Sequence, residues 1–318
     1  MRDVLFVKTS SLGDVVHHLP ALTEARAHCP DVRFGWVVEE AFAPLVRLHP
    51  AVADVFPVAI RRWRRTLSHG KTWREIEAFR HAVRARRYDA IIDSQGLLKS
   101  GLISRFAAGR HHGYDPNSIT EVLACLCYAE RHSVEWRQHA IARNRALTGL
   151  ALGYTPEGPP DFGLDRIALA ARAAAPYAVL LHGTAEPAKQ WPEANWRMLA
   201  AVLGQRIDVV VPHGSDAEHE RAMRIAEATA RSKVLDRAPL DAMTRLIAGA
   251  SLVVGLDTGL LHLAAALGVP AVAIFGASEP GLTGPLGSGP IEVLGENGAP
   301  PLVGDVAEAT LRISPVGR

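Results

Sequence analysis

Val253-Val254-Gly255-Leu256-Asp257-Thr258-Gly259-Leu260-Leu261-His262 passes from an apolar run through a loop of small residues directly into a helix start. This is a buried strand feeding a helix, the repeating unit of a parallel α/β sheet. The unit recurs along the chain. In the first half, strands are expected near 3–8, 33–38, 54–58 and 89–93, with helices near 14–28, 73–87, 96–107 and 134–151. In the second half, strands near 177–182, 207–212, 251–256 and 271–275 alternate with helices near 193–204, 215–230, 240–249 and 259–267. Between the halves, Gly153-Tyr154-Thr155-Pro156-Glu157-Gly158-Pro159-Pro160 can continue neither a helix nor a central strand. The expected architecture is therefore two Rossmann-like domains, 1–155 and 156–318, with function in the loops that follow strands, at a cleft between the two sheets.

Composition agrees. The 318 residues suit two domains, and 48% hydrophobic with 21% charged residues is ordinary for a globular chain. The 27 Gly and 21 Pro are dispersed, which argues against disorder, collagen and coiled coil. Cys29, Cys125 and Cys127 have no zinc-like spacing and are expected to be reduced and buried. The apolar run at the start, Val4-Leu5-Phe6-Val7, is closed by Lys8 and falls short of the ~7–15 apolar residues of a secretory signal. Gly268 and Pro270 break the longest apolar stretch, so no membrane span is expected and the chain should be cytoplasmic. The net charge of +2 hides a polarity. Residues 1–155 carry 22 Lys/Arg against 15 Asp/Glu, and residues 156–318 carry 13 against 18.

Five stretches could carry chemistry. Lys8-Thr9-Ser10-Ser11-Leu12-Gly13-Asp14 follows the first strand but lacks the spacing of a Walker A loop or a dinucleotide fingerprint. Asp14 is there either a helix N-cap or a general base. In His182-Gly183-Thr184-Ala185-Glu186-Pro187-Ala188-Lys189, the hydroxyl of Thr184 and the ammonium of Lys189 suit phosphate oxygens, or are simply solvated. At Thr258, Gly259 and Leu260 a helix start offers backbone N–H groups to a diphosphate, with His262 one turn on as a further contact or a core residue. Glu218 opens another helix and could accept ribose hydroxyls, or serve as a first-turn acid. An aspartic-protease reading of Asp257-Thr258-Gly259 fails for want of a β-rich scaffold and a second such carboxylate. Finally, residues 61–87 hold ten Lys/Arg against Glu75 and Glu77, interleaved with Trp63 and Trp73. Such a run is a solvated surface or the footprint of an anionic partner, either nucleic acid or phosphorylated lipid.

Taken together with Ala59-Ile60-Arg61-Arg62-Trp63-Arg64, Tyr88-Asp89-Ala90-Ile91-Ile92-Asp93-Ser94-Gln95-Gly96-Leu97-Leu98-Lys99-Ser100 and Lys189-Gln190-Trp191-Pro192, the chain resembles the bacterial lipopolysaccharide heptosyltransferases. The match runs in order from residue 3 to about 285, and Gln95-Gly96-Leu97 and Asp257-Thr258-Gly259 resemble the type I branch rather than type II. The resemblance implies a GT-B fold, an N-terminal acceptor domain and a C-terminal donor domain, with the last helix free to pack back on the former. It implies inverting transfer of heptose from ADP-heptose to Kdo2-lipid A, at the anionic inner face of the inner membrane. No cofactor and no nucleic acid are implied, and no metal; the chain indeed lacks an Asp-x-Asp pair. Position by position, Asp14 matches the base, Lys189 and Thr184 the phosphate donors, and Thr258, Gly259 and Leu260 the diphosphate cradle. Glu218 matches the ribose contact, and Asp257 and His262 contacts near heptose and diphosphate, with Asp257 also supporting an oxocarbenium-like state. Ala185 stands where the family often has a second Thr. Ser11, Gly13, Arg61, Arg62, Arg64, Gln95 and Lys99 fall on the acceptor side. The alternatives are a type II or other nucleotide-sugar transferase, a two-domain binding protein without chemistry, and a nucleic-acid binder resting on residues 61–87.

Overall fold

The computed structural model describes residues 1–171, 173 and 175–314. The chain divides into two compact units, Met1–Gly163 and Leu164–Arg318. The division falls later than the expected 155/156 because the linker is tied to the first unit. Arg145 donates to the carbonyls of Glu157 and Gly158 and pairs with Glu24, which also accepts the Glu157 N–H. Residues 315–318 of the expected second domain lie outside the described residues.

The first unit is one parallel sheet, β1 (Asp3–Val7), β2 (Arg33–Glu39), β3 (Val52–Val58), β4 (Arg87–Asp93), β5 (Ala108–Tyr114) and β6 (Glu130–His132), in the order 3-2-1-4-5-6. The second repeats it with β7 (Tyr177–Leu181), β8 (Asp208–Val211), β9 (Ser232–Val234), β10 (Leu252–Leu256), β11 (Ala271–Ile274) and β12 (Ile291–Leu294), ordered 12-11-10-7-8-9. Each sheet reverses direction once, between β1 and β4 and between β7 and β10, and ligands bind outside the carboxyl ends of strands at such a switch point. That single rule places the loops after β1, β4, β7 and β10 at the candidate sites.

Alternation along β1 builds both faces of the first sheet. Leu5 and Val7 join Phe79 and Val83 of helix Gly70–Arg84, and Ile103 of helix Leu98–Ser104, in one cluster. Phe6 points the other way, its ring 4.8 Å from that of His18 on helix Leu12–His28. In the second unit, Trp196 and Leu199 of helix Glu193–Leu203 pack on Leu180, Val209 and Val254.

Several boundaries differ from expectation. The helix expected at 134–151 begins at Ala140, because the His139 ring caps it by accepting the Ile141 N–H. The helix expected at 73–87 is Gly70–Arg84, and Arg87 already belongs to β4. The one at 96–107 shortens to Leu98–Ser104, and that at 215–230 to Asp216–Ala226. The last helix, Val303–Ile313, lies beyond the expected helix ranges and packs on helix Glu193–Leu203, β11 and β12. Cys125 and Cys127 are buried free thiols as expected, whereas Cys29 is only half-buried. No described helix is long and apolar enough to cross a membrane.

Candidate active site

In the first unit the chain leaves β1 through the buried Lys8, Thr9 and Ser10 and enters helix Leu12–His28. Ser11, not Asp14, is the N-cap. Asp14 lies three residues further on, where its Oδ2 accepts the Ser11 N–H at 2.6 Å and the Ser11 hydroxyl at 2.9 Å, the reach-back half of a capping box. Gly13 is buried in the same turn. The Asp14 side chain remains 39% exposed, so one face of the carboxylate stays open to a reactant.

Lys8 lies beneath it. Its Nζ donates to the Ser94 carbonyl at 2.9 Å and to Asn144 Oδ1 at 3.5 Å, and stands 3.8 Å from Asp14 Oδ1. Burial pulls the Lys8 pKa down, with Asp14 and Asp93 opposing that pull and Arg143 adding to it. The arrangement is a half-exposed carboxylate backed by a buried cation, and it can take up a proton at its open face. Gln95 ties this loop to the one after β4, since its Oε1 accepts the N–H groups of Thr9 and Ser10 at 3.0 and 3.1 Å. Asp93 anchors Gln95 by accepting its N–H, and Tyr128 donates to Asp93 at 2.7 Å. Lys99 Nζ reaches Ser10 Oγ at 3.4 Å.

The three arginines separate. Arg62 is committed to Glu40 and Glu75, at 3.0 and 2.7 Å. Arg61 and Arg64 are exposed, the former with its guanidinium 5.9 Å from the Phe42 ring centroid. Glu39 steadies the segment by accepting the backbone N–H of Ile60 and Arg61.

In the second unit the loops after β7 and β10 meet in a polar cluster. Lys189, ending the turn Pro187–Lys189, places Nζ 3.0 Å from Asp257 Oδ2 and 3.4 Å from Glu186 Oε1. Asp257 Oδ1 lies 3.2 Å from His262 Nε2, and Ser278 donates its hydroxyl to Oδ2 at 2.7 Å. Burial alone would push the Asp257 carboxyl up, but the bonds from His262, Ser278 and Lys189 outweigh it and hold the group far below the usual carboxylate range. Lys189 responds conversely: burial pulls it down, and Asp257 more than reverses that. Its ammonium is thus fixed, charged and still 18% exposed.

Beside it, Thr258 caps helix Gly259–Ala266, its carbonyl accepting the N–H groups of Leu261 and His262. The N–H groups of 258–260 are those that a helix leaves without intrahelical partners, with the positive end of its dipole behind them. Thr184 accepts the Glu186 N–H at 3.2 Å, and Ala185 is exposed between them. Glu218 accepts the Gly214 N–H at 2.7 Å and lies against Gly183, where a Cβ would come within 2.6 Å of its Oε1. The donor-side residues expected from the sequence therefore gather on the loops after β7, β8 and β10. Sequence reasoning passed over Ser278 and Asn144, and quoted Lys8 in its first stretch without giving it a role. The small residues Gly276-Ala277-Ser278 after β11 were a readable signal for the first, while Asn144 sits inside a helix with no local mark.

The model of glycosyltransferase family 9, the heptosyltransferases, matches residues 76–306. The chain belongs to this family. Among curated family members, it is 49% identical to lipopolysaccharide heptosyltransferase 1 of Pseudomonas aeruginosa over 89% of this chain and 81% of that one. It is 45% identical to the heptosyltransferase 1 of Escherichia coli K12, over 89% and 91%. Identity to the E. coli heptosyltransferase 2 drops to 26% over 89% of this chain. Among solved family structures, E. coli heptosyltransferase WaaC with ADP superimposes with a TM-score of 0.92 at 41% identity, covering 98% of this chain and all of the other. The two Rossmann-like units are thus those of a GT-B glycosyltransferase, as the sequence implied.

Proposed function

We propose that this chain is a type I heptosyltransferase, moving heptose with inversion from ADP-heptose to a Kdo hydroxyl of Kdo2-lipid A in lipopolysaccharide inner-core synthesis. The observation that carries the reading is Lys189, fixed 3.0 Å from Asp257 beside the start of helix Gly259–Ala266, in a chain 41% identical to a heptosyltransferase solved with ADP. A diphosphate leaving group needs that combination of cation and backbone donors.

In this reading the second unit binds the donor. As the heptose C1–O bond breaks, charge grows on ADP. Lys189 and the 258–260 N–H groups stabilise it, each preorganised donor contributing about 2–4 kcal/mol. Asp257 and His262 act through Lys189 and the diphosphate, and the Asp257 charge also faces the developing oxocarbenium. Thr184 adds a hydroxyl that Ala185 does not, and Glu218 receives the ribose hydroxyls. The first unit holds the acceptor through Ser11, Gly13, Gln95, Lys99, Arg61 and Arg64, with Arg62 bracing that segment through Glu40 and Glu75. Asp14 takes the hydroxyl proton as the oxygen attacks C1. The reaction needs neither cofactor nor divalent metal in this scheme, and in support the Asp257 carboxylate is already engaged by three donors. The enzyme acts as a peripheral protein on the cytoplasmic face of the inner membrane.

The test is mass spectrometry of Kdo2-lipid A incubated with the enzyme and ADP-heptose. The expected result is acceptor heavier by one heptosyl residue, in the presence of a chelator. No product, or product only with a UDP-sugar, overturns the reading.

A further inference from the structure

The short helical turn Val122–Cys127 turns its apolar side chains outward. Ala124, Cys125 and Cys127 face inward, while Leu126 is 79% exposed, Leu123 63% and Val122 57%. In a 3₁₀ turn residues three apart eclipse, so Leu123 and Leu126 lie one above the other. The turn is rigidly held: Arg131 Nε donates to the Cys125 carbonyl at 3.1 Å, and the Cys125 thiol to the Tyr114 carbonyl at 3.5 Å. Helix Leu98–Ser104 packs against it so closely that a Cβ on Gly101 would lie 3.1 Å from Cys127 Sγ, and this helix adds Leu102, 55% exposed. Isolated exposed aliphatics are ordinary, but four on two packed elements form a patch that calls for an occupant.

The charges around the patch specify that occupant. Lys99 and Arg105 are exposed on either side of Leu102. On the same side of the sheet, joined through Ile103, Phe106 and Phe79, helix Gly70–Arg84 exposes Lys71, Arg74 and Trp73. Of the neighbouring acids, Glu75 is paired with Arg62, Glu77 with Arg80 and Glu130 with Arg110, which leaves Glu121, bonded to the Leu98 N–H, as the carboxylate without a cation partner beside the turn among the described residues. Apolar tips set among exposed cations are the pattern of an interfacial anchor on anionic lipid.

We propose that this face of the first unit docks on an anionic bilayer, with Leu102, Val122, Leu123 and Leu126 inserted among the headgroups. Helix Leu98–Ser104 connects the anchor to the site, since Lys99 at its start contacts Ser10 in the loop that leads to Asp14. A lipid-borne acceptor would then meet Asp14 without leaving the membrane; this part of the inference rests on the heptosyl-transfer reading above.

The test is flotation of the full chain with vesicles containing about a quarter phosphatidylglycerol, against pure phosphatidylcholine vesicles, with neither donor nor acceptor present. Wild type should float with the anionic vesicles only. Leu123→Glu combined with Leu126→Glu should weaken that binding roughly tenfold or more, while Leu126→Phe retains it. Transfer to a deacylated, soluble acceptor should be unchanged in all three proteins, which also reports that they fold. The proposal is overturned if wild type ignores the vesicles, or if the double Glu variant binds them equally well. It is also overturned if that variant instead abolishes a concentration-dependent dimer in sedimentation, because the patch would then cover a second copy. Flotation involves no turnover, so a failure of heptosyl transfer and a failure of docking are read separately.

Discussion

Both units have the same strand order, and each puts its charged residues at the same topological point, yet they use them differently. At the β7/β10 switch the polar groups are locked together: Lys189, His262 and Ser278 all bind one carboxylate, which is buried, while the ammonium stays partly exposed. At the β1/β4 switch the order is reversed. The cation, Lys8, is buried, and the carboxylate of Asp14 is the exposed partner. One fold thus presents a fixed positive charge in one copy and an available proton acceptor in the other, and which partner of the ion pair is buried decides the difference.

The sharpest way to break this comparison is Asp14→Asn. The amide oxygen can still accept the Ser11 N–H, so the helix start survives, while the proton acceptor is lost. Transfer should fall by roughly 10²–10⁴ with ADP affinity near wild type, measured by kcat and by calorimetry. Lys8 loses one of its carboxylate neighbours, so a modest drop in Tm is expected as well. A kcat within about threefold of wild type would return Asp14 to a purely structural role.

Lys189→Ala strikes the corresponding point of the second unit. It should weaken ADP-heptose binding and slow transfer by roughly ten- to a hundredfold, the weight of a charge-assisted hydrogen bond. If Asp257 works by orienting Lys189, adding Asp257→Asn to Lys189→Ala should cost much less than Asp257→Asn alone. Additive losses would assign Asp257 a separate role.

Smaller effects are expected from Arg61→Glu with Arg64→Glu. The KM for the lipid acceptor should rise severalfold while the KM for the donor holds, because both residues belong to the first unit. Equal changes in both constants would contradict the division of substrates between units.

The smallest effect is on stability. Burial lowers His49, His111 and His112 in the first unit to about 4 and pulls His18 and His132 of that unit down as well, while in the second unit it lowers His182 to about 4. Below their unperturbed value of about 6.5 the unfolded chain binds these protons and the folded chain does not, so stability falls as pH drops from about 6.5 toward 4. With five such groups against one, amide protection factors, corrected for the slower intrinsic exchange at lower pH, should fall more in the first unit than in the second between pH 7 and 5. An equal fall in both would show that these histidines do not set the acid response.

The strands of the interior could be read because they are nearly continuous apolar runs. β5, Ala-Gly-Arg-His-His-Gly-Tyr, carries too little aliphatic character to be seen, and β6 and β9 are three residues each. β12 and helix Val303–Ile313 lie beyond the last motif, and their pairing with β11 is tertiary information. The donor cluster was legible because helix starts and small-residue loops have local signatures. The support for Asp14 was not, because Lys8, Ser94 and Asn144 meet only once three distant segments fold together. The commitment of Arg62 to two carboxylates was hidden for the same reason, within what reads as a uniform basic run.

Gln95 limits how this enzyme could be re-engineered. Its single side-chain oxygen answers two amides of the neighbouring loop, on Thr9 and Ser10, both in the protein interior. A graft that replaces the segment after β4 to change acceptor preference, and omits a carbonyl at this position, would leave both donors stranded at about 1–3 kcal/mol each. The strand-one loop would relax to find other acceptors, moving Ser11 and Asp14 with it. The loop after β4 and the loop that carries Asp14 are therefore inherited together, and a chimaera has to exchange both or neither.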